Sequence, residues 1–207
     1  MSAITATTDV EVCNMALDMV KEATITAMNE NRAAARWMNR NFVPTRNLVL
    51  TSHVWKFAMI RAEIAEDPTA PAFEWAHRYA KPADCFRVLP LRVGGTIDGR
   101  TIPHQVEGDF ILTSATSPLK IRYISEVTNI AEWPAPFVWA VASRLAAGIA
   151  HTLTGKMSMV ELGMAQFREA LALAASLDSA EGSHAQQYAT AYDDARYYTR
   201  DGLNEVL

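Results

Sequence analysis

Apolar residues recur every three or four positions near both ends of the chain, which is the spacing of amphipathic helices. The first helix is predicted to begin after Thr8, because Thr8 and Glu11 have the spacing of a capping box. Asn29 is predicted to cap a second helix, in which Pro44 indicates either a kink or a junction between two helices. The pattern therefore predicts bundle helices over residues 1–57.

The helical pattern returns over residues 129–178. Proline is favoured in the first turn of a helix and glycine just after the last turn, so Pro136 and Gly155 predict one helix between them. Ser158 and Glu161 have the spacing of a second capping box. Short connections make neighbouring helices antiparallel, so we expect an antiparallel helical bundle to which both chain ends contribute.

Residues 58–128 have a different pattern, in which short alternating apolar runs are separated by proline and glycine. The pattern predicts a small antiparallel β-rich insertion with a long hairpin whose tip lies near residues 93–104. Asp98-Gly99 is typical of a type I′ turn, and the preceding Gly-Gly pair indicates a turn because no phosphate-loop pattern follows. The residues predicted to contact another protein here are Gly94, Gly95, Asp98, Gly99 and Arg100.

The last segment, residues 179–207, lacks an aliphatic stripe and is rich in tyrosine and arginine. These residue types are favoured at protein interfaces because they combine a large contact area with a polar group. An extended tail that docks on a partner is one interpretation, and a disordered or self-packed terminus is the other. The residues of this tail that are predicted to contact another protein are Tyr188, Tyr192, Arg196, Tyr197 and Tyr198.

The fold class predicted from these segments is α+β, mainly α. The net charge of −4 argues against a duplex-binding protein, which usually carries a concentrated basic face. Arg32, Arg36 and Arg40 repeat every four residues, and they indicate either contact with phosphate or an acidic subunit, or a solvated helix face. Cys13 and Cys85 lack CxxC spacing, which favours two buried, reduced thiols.

The sequence shows no pattern that supports catalysis. The five histidines are scattered without an HExxH motif, and no serine lies in a GxSxG elbow. No run of about 18 apolar residues predicts a membrane span. We therefore expect no enzyme activity, no cofactor, no metal and no membrane partner. A nucleic-acid-binding module that uses the three arginines is the main alternative, and a hydrolase or transferase with an unfamiliar site is a weaker one.

Two segments stand out along the chain, Cys13-Asn-Met-Ala-Leu17 and His53-Val-Trp-Lys-Phe-Ala58. The others that belong with them are 32–40, 44–46, 79–89, 106–108, 111–113, 121–123, 137–147 and 153–155. In their order and spacing these segments resemble the tail tubular protein A family, which comprises the head-to-tail adaptors of short-tailed bacteriophages, over about residues 10–175. On this resemblance we expect the hairpin tip to contact a tail-side component or a neighbouring subunit, and the tyrosine-rich tail to contact the portal or a subunit.

The resemblance implies a helical bundle with a β-rich extension, assembled as a dodecameric ring between the portal protein and the tail nozzle or tail tube. It places the protein at the head-to-tail interface of the virion, after assembly in the host cytoplasm. DNA would pass through the lumen of such a ring without sequence-specific binding. A ring of chains that each carry a net charge of −4 would repel DNA, which favours sliding.

Overall fold

The computed structural model describes residues 8–181 of the 207-residue chain. Within this range the chain forms four α-helices and six β-strands, which confirms a mixed α+β fold. The helices are α1 (Asp9–Met19), α2 (Ala33–Ser52), α3 (Ala135–Thr154) and α4 (Met157–Ala180). The strands are β1 (Met59–Ile64), β2 (His77–Ala80), β3 (Cys85–Val88), β4 (His104–Glu107), β5 (Phe110–Thr113) and β6 (Leu119–Ser125).

Helix α1 begins where the capping box predicted. The Glu11 amide donates to the Thr8 hydroxyl at 3.2 Å, and the Thr8 amide donates to the Glu11 carboxylate at 2.9 Å. Two backbone amides that have no partner within the helix are thereby satisfied. The side chains that α1 buries are Val12, Cys13, Ala16 and Leu17.

Helix α2 differs from the prediction at its start. It begins at Ala33 with Arg32 as N-cap, so the prediction that Asn29 caps it was wrong. A single helix continues through Pro44, which rules out two helices meeting there. Pro44 has no amide hydrogen to donate to the Arg40 carbonyl one turn earlier. Both residues are exposed, so water can reach that carbonyl.

Helix α3 has the predicted ends. Pro136 lies in its first turn, and Gly155 caps its last turn with a φ of 66°. The Gly155 amide donates to the His151 carbonyl at 2.9 Å. The second capping box was wrong, because α4 begins at Met157 and Ser158 is already inside the helix.

The other three helices pack around α3, which is buried along most of its length. Gly163 of α4 lies against Ala147 of α3 so closely that a Cβ atom on residue 163 would be 2.7 Å from the Ala147 Cα atom. At the opposite end of the pair, Phe137 of α3 and Leu177 of α4 line one cavity. These contacts show that α3 and α4 run antiparallel.

Replacing Gly163 with leucine is expected to lower the free energy of unfolding by about 1–3 kcal/mol, because the added side chain must force the two backbones apart. Urea denaturation followed by circular dichroism measures this difference. Ala165→Leu is the matched control, since residue 165 is exposed on the same helix. Equal stability of the two variants would contradict the close contact.

The strands form two three-stranded antiparallel sheets, in the orders β1-β6-β3 and β2-β5-β4, where the sequence predicted one small sheet. Alternation of apolar residues indicates that a strand exists but does not indicate its partner. In the first sheet Ile124 belongs to the core shared with the helices. A separate small core lies between the sheets and contains Tyr79, Leu91, Ile111, Leu119, Ile121 and Tyr123.

The predicted hairpin tip is a closed loop, in which one of the two predicted turns is present. Arg92 and Thr101 form an isolated antiparallel bridge at its base. Gly94 and Gly95 have φ values of 70° and 73°, which confirms a turn at the glycine pair. Neither Asp98 nor Gly99 has a positive φ, so the type I′ turn was wrong.

A tight two-residue turn occurs elsewhere, at Gly108-Asp109 between β4 and β5. Gly108 has a φ of 54°, which an L side chain rarely adopts. Gly99 is needed for a different reason, because a Cβ atom there would be 2.4 Å from the Val93 carbonyl oxygen. The two glycines therefore act through different physical requirements.

Aromatic side chains fill the space between the helices and the first sheet. Trp55 is 1% exposed, and its indole nitrogen donates to the Val49 carbonyl at 2.9 Å. Trp133 is 2% exposed and donates to the Val127 carbonyl at 3.1 Å. Both indoles lie edge-on to the Phe137 ring, which joins the two parts of the molecule.

Among the four helices of residues 8–181, none combines the length and the apolar character needed to cross a membrane. The longest, α4, is interrupted by charged residues such as Glu161, Arg168 and Glu169.

Candidate interaction surfaces

The polar side chains of residues 8–181 form no group of three or more histidine, cysteine or acidic residues that could hold a metal ion. Cys13 is fully buried, and burial together with the Asp9 charge raises the pKa of its thiol to about 12. Burial also raises the pKa of the Cys85 thiol. Both thiols are therefore protonated at neutral pH, the form that is a poor nucleophile.

Asp84, which precedes Cys85 in the sequence, is hydrogen-bonded to another side chain. Its carboxylate accepts a hydrogen bond from the Tyr123 hydroxyl at 3.1 Å. Burial and this hydrogen bond raise the pKa of Tyr123 to about 12. The arrangement stabilises the small core and leaves Asp84 in a structural role.

The arginine stripe that the sequence predicted on α2 is not continuous. Arg32 precedes the helix, and its guanidinium donates to the carbonyls of Thr24 at 2.6 Å and Ala23 at 3.2 Å. Arg36 donates to the Asn31 side chain at 2.6 Å, also within the loop that leads into α2.

Of the three arginines, Arg40 alone is exposed without a polar partner among residues 8–181. Arg32 and Arg36 are both engaged by the loop before α2. Arg32 also lies 3.7 Å from the Glu22 carboxylate, so Arg36 and Arg40 are the two of these three arginines without a carboxylate partner among residues 8–181. Two cations are a small electrostatic surface for phosphate binding, which usually engages several. The nucleic-acid alternative therefore gains little from this helix.

The loop at 93–104 holds all five residues that were predicted to contact a tail-side component or a neighbour: Gly94, Gly95, Asp98, Gly99 and Arg100. Val93 and Ile97 in the same loop are 50% and 56% exposed. A cavity of about 830 Å³ separates this loop from the second sheet and is lined in part by Trp75, Arg92 and Lys120. The loop is accessible to another protein chain.

Helix α4 exposes three leucines at the edge of the face that packs against α3, and we call them the outer face of α4. Leu162, Leu173 and Leu177 are 51%, 56% and 46% exposed. The buried positions beside them are small residues such as Gly163 and Ala170. Exposed apolar residues that extend a packed helix face are typical of a surface that another protein covers.

Sequence reasoning missed this outer face of α4. It assigned the apolar face to the residues that follow a helical stripe from Val160 to Ala174. The leucines at 162, 173 and 177 lie outside that stripe, and they are the feature that could have revealed the outer face.

The C-terminal end of α4 is fastened to the segment between α2 and β1. Asp178 is 7% exposed; one carboxylate oxygen accepts from the Lys56 amide at 2.8 Å, and the other lies 3.2 Å from the His53 ring nitrogen. The Lys56 ammonium donates to the backbone carbonyls of Asp178 and Ser179. The described chain therefore leaves the core at a defined position.

The predicted docking residues of the tail lie beyond that position and outside the described residues. They are Tyr188, Tyr192, Arg196, Tyr197 and Tyr198. A cavity of about 380 Å³, lined by Trp55, Phe137 and Leu177, adjoins the end of α4.

The first sheet carries a basic surface that sequence reasoning also missed. Arg61 of β1 and Arg122 of β6 are direct partners in the register. Burial and the charges of Arg61 and Arg92 lower the pKa of Arg122, so three guanidiniums lie within electrostatic reach of one another. No spacing in the sequence indicates this, because the three residues are far apart along the chain.

No protein-family model and no curated protein matches this sequence. A proposal of function therefore depends on the surfaces of the chain and on the segments that resemble the adaptor family in their order along the sequence.

Proposed function

We propose that the protein is a structural virion protein, a head-to-tail adaptor that joins the portal protein to the tail nozzle or tail tube of a short-tailed bacteriophage. The observation that carries this proposal is the outer face of α4, where Leu162, Leu173 and Leu177 are exposed at the edge of the face that packs against α3. Apolar surface of this kind is stabilised when another protein covers it. Such a role does not require the reactive thiols and carboxylates of an active site.

The adaptor acts as a homo-oligomeric ring, a dodecamer by resemblance to the family. In this ring the antiparallel bundle from both chain ends forms the body, and the two sheets form the extension. The tail beyond residue 181 contacts the portal, and the loop at 93–104 contacts the tail-side component or a neighbouring subunit. The exposed apolar residues Val93 and Ile97 support the second contact.

DNA passes through the ring during ejection. The net charge of −4 for each chain supports repulsion between the ring and the DNA phosphates. Repulsion favours passage over retention, because DNA-binding proteins instead neutralise phosphates with clustered cations.

Imaging of purified particles of the encoding virus tests the proposal. Electron microscopy with an epitope tag on the chain should show the label at the vertex where head and tail meet, as a ring beneath the portal. Preparations from infections in which the protein is not made should contain heads that lack tails. Absence of the label from that vertex, or a turnover that is lost on substitution of one side chain, would contradict the adaptor function.

A further inference from the structure

Positive charge is crowded on the β1-β6-β3 sheet, on the face that lies opposite the small core. Arg61 and Arg122 are directly opposite each other, an arrangement in which Cβ atoms are about 4.5–5.5 Å apart and like charges repel. Within residues 8–181 neither guanidinium has a carboxylate partner or a hydrogen bond. The folded chain therefore carries an electrostatic cost at this place that an anion would remove.

Two further cations extend this surface, which we call the basic face and define as Arg61, Arg92, Lys120 and Arg122. The Arg92 guanidinium donates to the neutral carbonyl of Gly99 at 3.0 Å, so its charge is not compensated. Lys120 is 3.4 Å from the carboxylate of Glu63. One carboxylate among four cations leaves the basic face with excess positive charge.

An acidic surface projects from the other sheet of the same chain. The turn between β4 and β5 carries Glu107 and Asp109 on either side of Gly108, and we call these three residues the acidic tip. The Asp109 side chain is 97% exposed, with Lys81 at 3.7 Å as its ion-pair partner. A Cβ atom on Gly108 would meet nothing within 4 Å, which shows that the turn projects into open space.

We propose that the basic face of one copy binds the acidic tip of a second copy. Two carboxylates on a narrow turn can each accept paired hydrogen bonds from a guanidinium, and charge-assisted bonds of this type are among the strongest in proteins. Every copy supplies both surfaces in equal number. The inference rests on the proposed adaptor function, since it specifies how the copies of the ring contact one another.

The two surfaces differ, so the contact is heterologous. Each copy offers one basic face and one acidic tip, and association therefore continues from copy to copy until the rotation closes a ring. A protein carboxylate is favoured over DNA as the occupant, because the net charge of −4 opposes the approach of a polyanion.

A charge-exchange experiment with the full chain tests this contact. One variant carries R61E and R122E, and the other carries E107K and D109K. Sedimentation velocity at low and high salt measures self-association, and circular dichroism verifies that both variants are folded. The wild-type chain should associate in a salt-dependent manner, and each variant alone should associate at least about tenfold more weakly.

Mixing the two variants is the decisive measurement. The first variant has an acidic face and an acidic tip, and the second has a basic face and a basic tip, so both kinds of contact between unlike copies are restored. Association should therefore return in the equimolar mixture, and also in a chain that carries all four substitutions. A general loss of stability or a nonspecific charge effect predicts no such recovery.

Three results would overturn the inference: a wild-type chain that remains monomeric at every concentration and salt tested, a mixture that does not recover, or duplex DNA binding that R61E and R122E abolish while self-association is unchanged. Particle imaging reports separately on the adaptor function. Recovery in the mixture with no label at the vertex would refute the adaptor function alone. A labelled vertex without recovery would refute the charge-paired contact alone.

Discussion

Replacing Trp55 with alanine is expected to lower the free energy of unfolding by about 3–5 kcal/mol, the usual cost of truncating a buried tryptophan. The side chain is 1% exposed and its ring centroid lies 5.0 Å from that of Phe137. Alanine would leave a cavity between the helices and the first sheet. It would also remove the indole hydrogen bond to the Val49 carbonyl, which keeps a second donor in the Ser52 hydroxyl at 2.7 Å.

Urea denaturation followed by circular dichroism measures this effect, and Trp139→Ala is the matched control. Trp139 lies on α3 and is 49% exposed, so the same chemical change there should cost about 1 kcal/mol or less. Trp55→Phe keeps a ring against Phe137 and should fall between the two. Similar losses for Trp55→Ala and Trp139→Ala would show that Trp55 does not stabilise the packing between the helices and the first sheet.

Deleting residues 182–207 is expected to abolish joining to the portal and to leave the unfolding transition close to that of the full chain. The deletion spares the contacts that hold the end of α4, which run from Asp178 to Lys56 and His53. It removes the residues proposed to contact the portal, namely Tyr188, Tyr192, Arg196, Tyr197 and Tyr198. Cosedimentation with purified portal rings measures joining, and thermal unfolding measures stability.

Two substituted chains separate the role of the tyrosines from that of chain length. A chain in which the four tail tyrosines become serine should lose joining, because the large contact areas are removed. A chain in which Asp193 and Asp194 become asparagine keeps those areas and should retain joining. Normal affinity after the deletion would exclude the tail from the mechanism.

The helix ends that were predicted correctly depend on residues within one turn of the boundary. Thr8 and Glu11 satisfy each other's amides, and Gly155 adopts the left-handed conformation that ends α3. Asn29 and Ser158, at the two wrongly predicted starts, are also residue types that can cap a helix, but neither caps one in the structure. At those positions Arg32 and Lys156 precede the helix instead, so packing of the whole molecule overrode a suitable capping residue.

The interaction surfaces were less predictable than the elements. Composition identified an acidic chain and a tyrosine-rich terminus, and the loop at 93–104 was located before its turn geometry was known. The outer face of α4 was missed because the sequence does not show which apolar residues of a helix its neighbour covers and which it leaves exposed. The neighbour of α4 is α3, and small residues such as Gly163 allow the two helices to approach each other closely.

The sequence by itself determined the type of most elements, the charge balance and the local caps, because these depend on side chains and backbone groups that are close along the chain. Only the tertiary structure decided which distant residues meet. The pairing of β1 with β6 places Arg61 opposite Arg122, and the packing of α4 brings Asp178 to Lys56. Such contacts follow from the register and packing of whole elements, which no short stretch of sequence specifies.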